Sequence, residues 1–377
     1  CAGHCFVGLS MSSTAFEGKV TTVMIMAGGT GGHVYPALSV AKALREKRIQ
    51  VVWLGTKKGL EARVIPSEGF DIEWIDASAV VGIQWSRKIV IPWMVLRAVW
   101  QSLKVIWRQK PNVVLGMGGF VAGPGGVAAW LLRRPLIIHE ANARSGLTNR
   151  MLTLLAAKVL TGFSCSEGMP SSAKHTGNPV RSEIALIPAP SKRGIGVSKN
   201  LRVLVLGGSQ GARTINDLVP HAFAMASCRS KLQILHQSGR NHDDQVRDSY
   251  STLNLDASVV DFIDDMSSAY ESVDIVISRA GAMTISEISA AGLPAILIPY
   301  PHSAGDHQFA NARCLAEAGA AVVFRESELN PSRLADEIDR CFLKREDLME
   351  MAQAARTLAR PAATDDVMNQ CLELARA

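Results

Sequence analysis

The chain repeats one local order at two distant places: a buried strand, a glycine-rich loop and then a helix. In the first half, an apolar strand over 19–26 precedes the loop Gly28-Gly-Thr-Gly-Gly-His33 and a helix over 34–47. The order restarts at 201–206, where the loop Gly207-Gly-Ser-Gln-Gly-Ala212 leads into another helix. Such apolar runs are typical of strands buried on both faces of a parallel sheet. The repeat predicts two α/β units in series with a ligand between them.

The length of 377 residues suits two hydrophobic cores of about 150 to 200 residues each better than one. We therefore predict an α/β chain of two Rossmann-like, doubly wound domains that face a central cleft. Further strands are expected at 50–54, 111–115, 135–139, 233–236, 259–263, 274–278, 295–298 and 321–324. The expected divisions are a disordered leader over 1–18, a first domain over 19–180, a second over 181–357, and an amphipathic segment over 358–377 that returns to the first.

Composition narrows the class of protein. Hydrophobic residues make up 47% of the chain and charged residues 20%, which is typical of a globular protein. The net charge of +6 favours phosphates or an anionic surface, but few aromatic residues interleave with the basic ones, so we expect no nucleic acid. The seven cysteines are scattered without a C-x-x-C pair, which indicates neither a disulfide framework nor a zinc site and fits a reducing cytoplasm.

The segment Arg279-Ala-Gly-Ala-Met-Thr-Ile-Ser-Glu287 combines a helix start with groups able to hold a nucleotide. Gly281 is expected to form the turn after a buried strand, and Thr284 the opening of a helix. Backbone N–H groups at a helix start bind phosphates, and Glu287, expected in the first turn, would accept hydrogen bonds from both ribose hydroxyls. Alternatively, Thr284 and Ser286 only cap the helix and Glu287 favours its dipole.

The glycine loops disfavour two common classes of nucleotide-binding enzyme. Gly28-Gly-Thr-Gly-Gly-His33 lacks the Lys-Ser/Thr of a P-loop, and no acidic residue ends the second strand to hold a dinucleotide ribose. Kinases and dehydrogenases are therefore disfavoured. The loops all follow strands, so they are expected at the edge of an open sheet where ligands collect.

Six segments that are rich in glycine or polar residues follow one another along the chain. They are Gly28-Gly-Thr-Gly-Gly-His-Val-Tyr-Pro36, Gly116-Met-Gly-Gly-Phe-Val-Ala-Gly-Pro-Gly-Gly126, His139-Glu-Ala-Asn142, Gly177-Asn-Pro-Val-Arg181, Gly207-Gly-Ser-Gln-Gly-Ala212, and Ala282–Glu287 with Gln308. In this order they resemble the MurG family of bacterial glycosyltransferases, from about position 20 to near the end of the chain. The resemblance implies a GT-B fold and inverting, metal-independent transfer of N-acetylglucosamine in peptidoglycan synthesis. The donor would be UDP-GlcNAc and the acceptor muramoyl-pentapeptide on undecaprenyl diphosphate (lipid I), which would give lipid II.

The same resemblance implies residue roles. Donor contacts would come from Thr30, Gly31, Gly32, Asn142, Arg181, Ser209, Ile263, Ala282, Met283, Thr284, Ile285, Ser286, Glu287 and Gln308. The acceptor diphosphate would meet Gly29, Gly118 and Gly119. Two positions depart from the family pattern: Ala141 stands where glutamine is usual, and Gly305 replaces an acidic residue before Asp306. His302 and Asp306 would position the sugar or be solvated loop residues.

An inverting transfer needs a base for the acceptor hydroxyl and positive character for the departing UDP. His33 is the candidate base, because its ordinary pKa lies near neutrality and its loop would face the cleft. Alternatively, His33 only hydrogen-bonds a phosphate or the backbone. His139 and Glu140 are rival bases, although Glu140 would serve equally to orient its loop. Helix N-termini, Ser209 and Arg181 would stabilise the leaving diphosphate.

The segment 87–110 is expected to lie on a membrane. Arg97 and Lys104 interrupt its apolar run, so it should not span a bilayer. On a helix, basic and polar residues would form a narrow stripe with Trp93, Trp100 and Trp107 along one edge, and tryptophan prefers the headgroup level. The alternative is a core helix with a solvated stripe. The resemblance implies a peripheral location on the cytoplasmic face of the bacterial inner membrane, with an anionic membrane surface and other cell-wall synthesis proteins as partners.

Two other functions stay open at this point. A different GT-B enzyme, such as a UDP-GlcNAc 2-epimerase, would bind the same nucleotide sugar without an acceptor. A non-catalytic membrane-peripheral scaffold would bind the nucleotide without turnover. Dependence on an acceptor separates these alternatives.

Overall fold

The computed structural model describes residues 21–77, 91–208 and 211–376, which form two parallel sheets. The first sheet contains β1 Thr22–Ala27, β2 Gln50–Gly55, β3 Asp71–Trp74, β4 Val113–Gly118, β5 Leu136–Glu140, β6 Lys158–Thr161 and β7 Lys174–His175. The second contains β8 Leu201–Leu206, β9 Leu232–Gln237, β10 Ala257–Val260, β11 Ile275–Ser278, β12 Ala295–Leu297 and β13 Ala321–Val323. The predicted leader, 1–18, lies outside the described residues.

Helices cover both sheets. Those of the first half are α1 Gly31–Glu46, α2 Glu61–Ser67, α3 Ile91–Gln109, α4 Ala122–Leu131 and α5 Leu147–Leu152. Those that follow are α6 Ser182–Ala185, α7 Pro190–Arg193, α8 Arg213–Met225, α9 Asp243–Thr252, α10 Met266–Glu271, α11 Ala282–Ala291, α12 His307–Glu317, α13 Pro331–Leu343, α14 Arg345–Thr357 and α15 Ala363–Arg376.

Strand order places the functional loops. The first sheet runs β3-β2-β1-β4-β5-β6-β7 and the second β10-β9-β8-β11-β12-β13. In each sheet the order reverses between two central strands, β1 and β4 or β8 and β11, and ligands of such folds bind at the carboxyl ends of these strands. The central strands β1 and β4 are buried along their whole length, because helices cover both faces. The predicted α/β class with two Rossmann-like domains is confirmed.

The chain crosses back to the first sheet at its last described helix. In α15, Val367, Met368 and Cys371 are buried in the same core cluster as Val34 and Leu44 of α1. The first domain's core is therefore completed by residues more than 300 positions after its first strand.

Some elements differ from the sequence-based expectation. The short strands β3, β6 and β7 were not expected, because they lie toward one edge of the sheet or the other and have too few consecutive apolar residues for a recognisable pattern. The connector near 188–200 contains the single-turn helix α7, which begins at Pro190, a residue well suited to a first helical turn.

Candidate active site

The first glycine loop is shorter than expected, because α1 begins at Gly31 and not at Val34. Thr30 has an extended backbone, and its carbonyl accepts hydrogen bonds from the N–H groups of His33 and Val34, so helical bonding starts there. Gly31 and Gly32 therefore belong to the first helical turn. This start of α1 brings the positive end of a helix dipole to the edge of the sheet.

The loops after β1 and β4 touch each other through glycines. A Cβ atom on Gly119 would lie 2.1 Å from the carbonyl oxygen of Gly28, and one on Gly118 would lie 2.6 Å from Cδ2 of His33. Gly29 and Gly119 also have positive φ angles of 91° and 82°. The structure thus brings together the three glycines expected at the acceptor diphosphate. The expected loop over 116–126 is largely regular, since β4 extends to Gly118 and α4 begins at Ala122.

A buried carboxylate that sequence reasoning missed holds the first loop in place. Glu61 is fully buried, and its Oε2 accepts a hydrogen bond from the N–H of Gly29 at 2.9 Å. Its Oε1 accepts from the N–H and the hydroxyl of Thr56 at 3.0 and 2.8 Å. No local pattern marks this role, because Glu61 stands at the start of α2, where an acidic residue is ordinary.

His33 lies at the meeting point of these loops, with its ring against Gly118. Burial lowers the pKa of His33, while the nearby Glu140 carboxylate acts in the opposite direction. The imidazole is therefore neutral at neutral pH, which is the form that accepts a proton.

The rival bases, His139 and Glu140, already form hydrogen bonds within the protein. Glu140 accepts hydrogen bonds from the N–H groups of Asn142 and Gly146 at 2.9 and 3.1 Å, and from the side-chain amide of Asn149 at 2.9 Å. His139 is fully buried, with Nε2 2.9 Å from the carbonyl oxygen of Gly177. Glu140 thus holds the loop after β5, whereas His139 contacts the segment after β7. Since both groups already have partners within the protein, His33 stays the candidate base.

In the second domain, β11 turns into α11 at the predicted diphosphate site. Gly281 is the N-cap, and α11 begins at Ala282 and not at Thr284. Glu287 is therefore the sixth residue of the helix, in its second turn and not its first. The capping alternative is wrong, because the start of α11 has no side-chain cap and the Ser286 hydroxyl donates to the carbonyl of Ala282 at 2.9 Å.

Glu287 is held by two partners from other elements. Arg181 donates to its Oε1 at 3.1 Å, and the Tyr270 hydroxyl donates to its Oε2 at 3.2 Å. Burial raises the pKa of Glu287, and Arg181 opposes that shift. Tyr270 was missed by sequence reasoning, since its position on α10 has no local pattern that links it to α11. The two partners fix the orientation of the carboxylate before any ligand binds.

A cavity of about 450 Å³ lies between the domains and joins these features. Of the residues expected to contact the donor, it is lined by Gly31, Gly32, Arg181, Ile263, Ala282, Met283, Thr284 and Glu287. Residues that were not predicted also line it: Tyr35, Gln237, Phe262, Asp264, Tyr270 and Arg279. The openings of α1 and α11 therefore face one cavity from opposite domains.

The remaining predicted donor residues lie elsewhere. Ile285 is fully buried, and Ser286 accepts a hydrogen bond from Asn178 at 2.9 Å beside a second cavity. Thr30 is the exposed N-cap of α1, and Ser209 lies outside the described residues. Their donor contacts stay predictions.

Gln308 and Asn142 lie on opposite sides of the seam between the domains. The side-chain oxygen of Gln308 accepts from the N–H groups of Ala280 and Tyr300 at 3.2 and 2.9 Å, which fixes its amide beside the start of α11. Asn142 accepts from Asn311 of α12 at 3.2 Å.

The loop before α12 explains one departure from the family pattern. Gly305 and Asp306 both have left-handed backbone conformations, with φ of 60° and 59°. Glycine adopts this conformation without strain, so it suits the first position. His302 is exposed, with its ring against Tyr300.

Helix α3 exposes an apolar stripe to solvent. Trp93, Trp100 and Trp107 are 71%, 55% and 70% exposed, while the opposite face, with Ala98 and Ile106, is buried. The core-helix alternative therefore does not account for the tryptophans. Among the described residues, no helix is long and apolar enough to cross a membrane.

The three basic residues beside these tryptophans on α3 differ in their partners. Arg97 pairs with Asp76 at 2.7 Å and Arg108 with Glu73 at 2.5 Å. The Lys104 ammonium lies 3.4 Å from the centre of the Trp100 ring. Two of the three cations are thus partly neutralised, one by Glu73 of β3 and one by Asp76, which follows that strand.

Comparisons with known proteins agree with this architecture. The chain matches the glycosyltransferase family 28 N-terminal domain over residues 23–161 and the C-terminal domain of that family over 202–367. It is 48% identical, over 94% of its length and 99% of the relative, to a protein of Alkalilimnicola ehrlichii. That protein is named UDP-N-acetylglucosamine–N-acetylmuramyl-(pentapeptide) pyrophosphoryl-undecaprenol N-acetylglucosamine transferase. A relative of the same name from Dechloromonas aromatica is 45% identical over 94% of this chain and 99% of its own.

Solved structures show the same fold. The crystal structure of MurG from Acinetobacter baumannii is 36% identical, with a TM-score of 0.82 over 94% of this chain and 99% of that one. A UDP-GlcNAc 2-epimerase from Neisseria meningitidis, bound to UDP-GlcNAc, has a TM-score of 0.65 over 94% of this chain and 100% of that one. At 14% identity this second likeness concerns the fold alone.

Proposed function

This chain belongs to the MurG family within glycosyltransferase family 28, and from that membership we propose its reaction. It transfers N-acetylglucosamine from UDP-GlcNAc to undecaprenyl-diphospho-N-acetylmuramoyl-pentapeptide, and the products are lipid II and UDP. The single observation that carries this proposal in the structure is the cavity between the domains, which both helix starts face and which Glu287 lines. A diphosphate needs N–H donors and a ribose needs a fixed acceptor, and this cavity has both.

We propose that the second domain holds the donor. Glu287 accepts hydrogen bonds from the ribose hydroxyls, and the N–H groups at the start of α11 receive the diphosphate. Arg181 lies beside the cavity and carries a positive charge, so it stabilises the charge that builds on UDP as the glycosidic bond breaks. Gln308 lies toward the sugar. These groups supply the positive character that the departing diphosphate needs, and we propose a transfer that uses them without a metal.

The first domain then presents the acceptor. Gly29, Gly118 and Gly119 offer backbone N–H groups to the acceptor diphosphate, and the lack of side chains at Gly118 and Gly119 lets their loop pack against His33 and Gly28. His33, neutral because of its burial, takes the proton of the acceptor hydroxyl as that oxygen attacks the anomeric carbon. Attack from the side opposite to UDP inverts the configuration at that carbon.

We propose that the exposed face of α3 rests on the cytoplasmic surface of the inner membrane, where a lipid-linked acceptor is found. The tryptophans of the stripe enter the headgroup layer, and Lys104 faces anionic lipid. Trp130 on the adjacent helix α4 is 51% exposed, and we propose that it enters the same headgroup layer.

The reaction is tested by incubating the purified chain with UDP-GlcNAc and a short-chain lipid I analogue. We expect UDP release and a disaccharide product, both dependent on the acceptor. The matched control omits the analogue. Epimerised or free sugar without acceptor would indicate the 2-epimerase alternative, and binding of UDP-GlcNAc without any turnover would indicate the scaffold; either result contradicts the proposal.

A further inference from the structure

Two cysteines meet at the seam between the domains. Cys165 follows β6 in the first domain, and Cys314 lies on α12 of the second. Their sulfur atoms are 3.3 Å apart, and both thiols are free. Cys165 is exposed and Cys314 is partly exposed, and both line a cavity of about 320 Å³ at the seam, so small solutes reach them.

The pair continues a row of contacts along one face of α12. His307, Asn311 and Cys314 are spaced at i, i+4 and i+7, which places them on one side of the helix. Nδ1 of His307 lies 2.6 Å from the carbonyl oxygen of Arg144, and Asn311 accepts from the N–H of Ala143 at 2.8 Å. Asn311 also donates to Asn142 at 3.2 Å. The first domain is therefore held to α12 by a few separate hydrogen bonds, each of which contributes about 1 kcal/mol.

The loop that carries Cys165 is tied to the loop that contacts α12. The N–H of Glu167 donates to Ala143 at 2.8 Å, and the N–H of Ser145 donates to Glu167 at 2.9 Å. A covalent bond at Cys165 would consequently restrain both loops together with α12. Because Gln308 is also part of α12, the same bond would restrain a residue that we expect to contact the donor sugar.

We propose that Cys165 and Cys314 are an oxidation site at which a peroxide-class oxidant forms a disulfide between the two domains and slows turnover. The cleft must admit UDP-GlcNAc and release UDP in each cycle, and a bond across the seam opposes that opening. The effect on turnover rests on the proposed function, whereas formation of the disulfide does not.

The chemistry balances with one peroxide. The Cys165 thiolate attacks a peroxide oxygen; the S–O bond forms, the O–O bond breaks, and hydroxide leaves. The sulfur of Cys314 then attacks the sulfenic sulfur of Cys165; the S–S bond forms, and hydroxide departs as water with the thiol proton. In total, two thiols are oxidised and one peroxide is reduced to two waters.

The different surroundings of Cys165 and Cys314 determine which thiol reacts first with the peroxide. Burial and the contact with Cys165 raise the pKa of Cys314 to about 12, so its thiolate is scarce. Its thiol donates to the carbonyl of Ala310 at 3.5 Å. The exposed Cys165 therefore reacts first. Cys341 and Cys371 are buried, and burial raises the pKa of each to about 12, which makes them unreactive internal references.

The test treats the reduced full chain with hydrogen peroxide and maps its peptides without reduction. We expect one crosslinked peptide pair, Cys165 with Cys314, and no disulfide between two chains on a non-reducing denaturing gel. Amide exchange over 307–317 and 142–145 should slow, and UDP release should fall about fivefold or more, as expected when cleft opening limits turnover. Dithiothreitol should reverse all three changes.

Three variants sharpen the result. Cys165→Ser should keep its turnover in peroxide, and Cys314→Ser should accumulate a sulfenic acid at Cys165 that dimedone traps. Cys371→Ser should still crosslink. Oxidation of Cys165 without the crosslink would overturn the proposal, and so would a crosslink that leaves amide exchange and UDP release unchanged. If the reduced chain had no turnover, the proposed function would fail, while the crosslink and the exchange would still decide the cysteine chemistry.

Discussion

Replacing Glu287 by alanine isolates the proposed ribose contact. In the structure, this carboxylate is mostly buried and is oriented by Arg181 and Tyr270, so its position does not depend on the ligand. A hydrogen bond to a charged group contributes about 1.5–3 kcal/mol, and two such bonds to the ribose would be lost. Because water re-solvates part of the emptied site, we expect a net loss of about 2–4 kcal/mol, roughly 30- to 700-fold in Kd.

The assay is calorimetric titration with UDP and with UDP-GlcNAc. Since the ribose is common to both ligands, Glu287→Ala should weaken both by the same factor. Glu287→Gln keeps one acceptor oxygen, and we expect it to lose about tenfold. The matched control is Glu183→Ala, which removes an exposed carboxylate two residues from Arg181. A folded Glu287→Ala chain that binds UDP within twofold of the unchanged chain would refute the ribose contact.

Further predictions concern His33, the contact between the two glycine loops, and the exposed face of α3. Because burial lowers the pKa of His33, kcat/KM should stay level at neutral pH and fall only below about pH 6.5, where the base becomes protonated. His33→Gln should lose about 10²- to 10⁴-fold in kcat; full turnover with the same acid limb would exclude His33 as the base. Gly119→Ala should lower the Tm, measured by calorimetry, by more than Gly319→Ala does. Both glycines have positive φ, but only the added Cβ at Gly119 would meet backbone, 2.1 Å from the carbonyl oxygen of Gly28. Equal shifts in Tm would contradict the loop contact. Trp107→Ser should weaken binding to anionic vesicles by about 1 kcal/mol, roughly fivefold in a sedimentation assay, and Leu343→Ser on the second domain should not; equal losses would remove α3 from the membrane surface.

The central strands of both sheets were predictable from sequence, because they are apolar runs, whereas the short strands β3, β6 and β7 were not. Residues 23–26 and 203–206 illustrate this pattern, and the glycine loops that follow them mark the ligand edge. The start of α1 was misplaced because glycine has a low helix propensity, yet Gly31 and Gly32 stand at an N-terminus, where that penalty matters least.

The long-range parts of the site had no local signal. Glu61 looks like an ordinary acidic residue in a first helical turn, and only the fold shows that its carboxylate accepts the N–H of Gly29. Asn311 contacts a loop 168 residues earlier in the chain, and no pattern within α12 distinguishes it from a core-facing amide. Such pairings follow from how the two domains meet, and short-range periodicity does not encode that.

The returning helix α15 has a consequence for how the molecule is made. The first domain's core beside α1 is filled by Val367, Met368 and Cys371. That core is therefore incomplete until these residues have left the ribosome. The second domain is continuous in the chain and has no such delay. During synthesis, the first domain is therefore translated first but completes its core last. Until α15 packs against it, the apolar surface of α1 stays exposed to solvent.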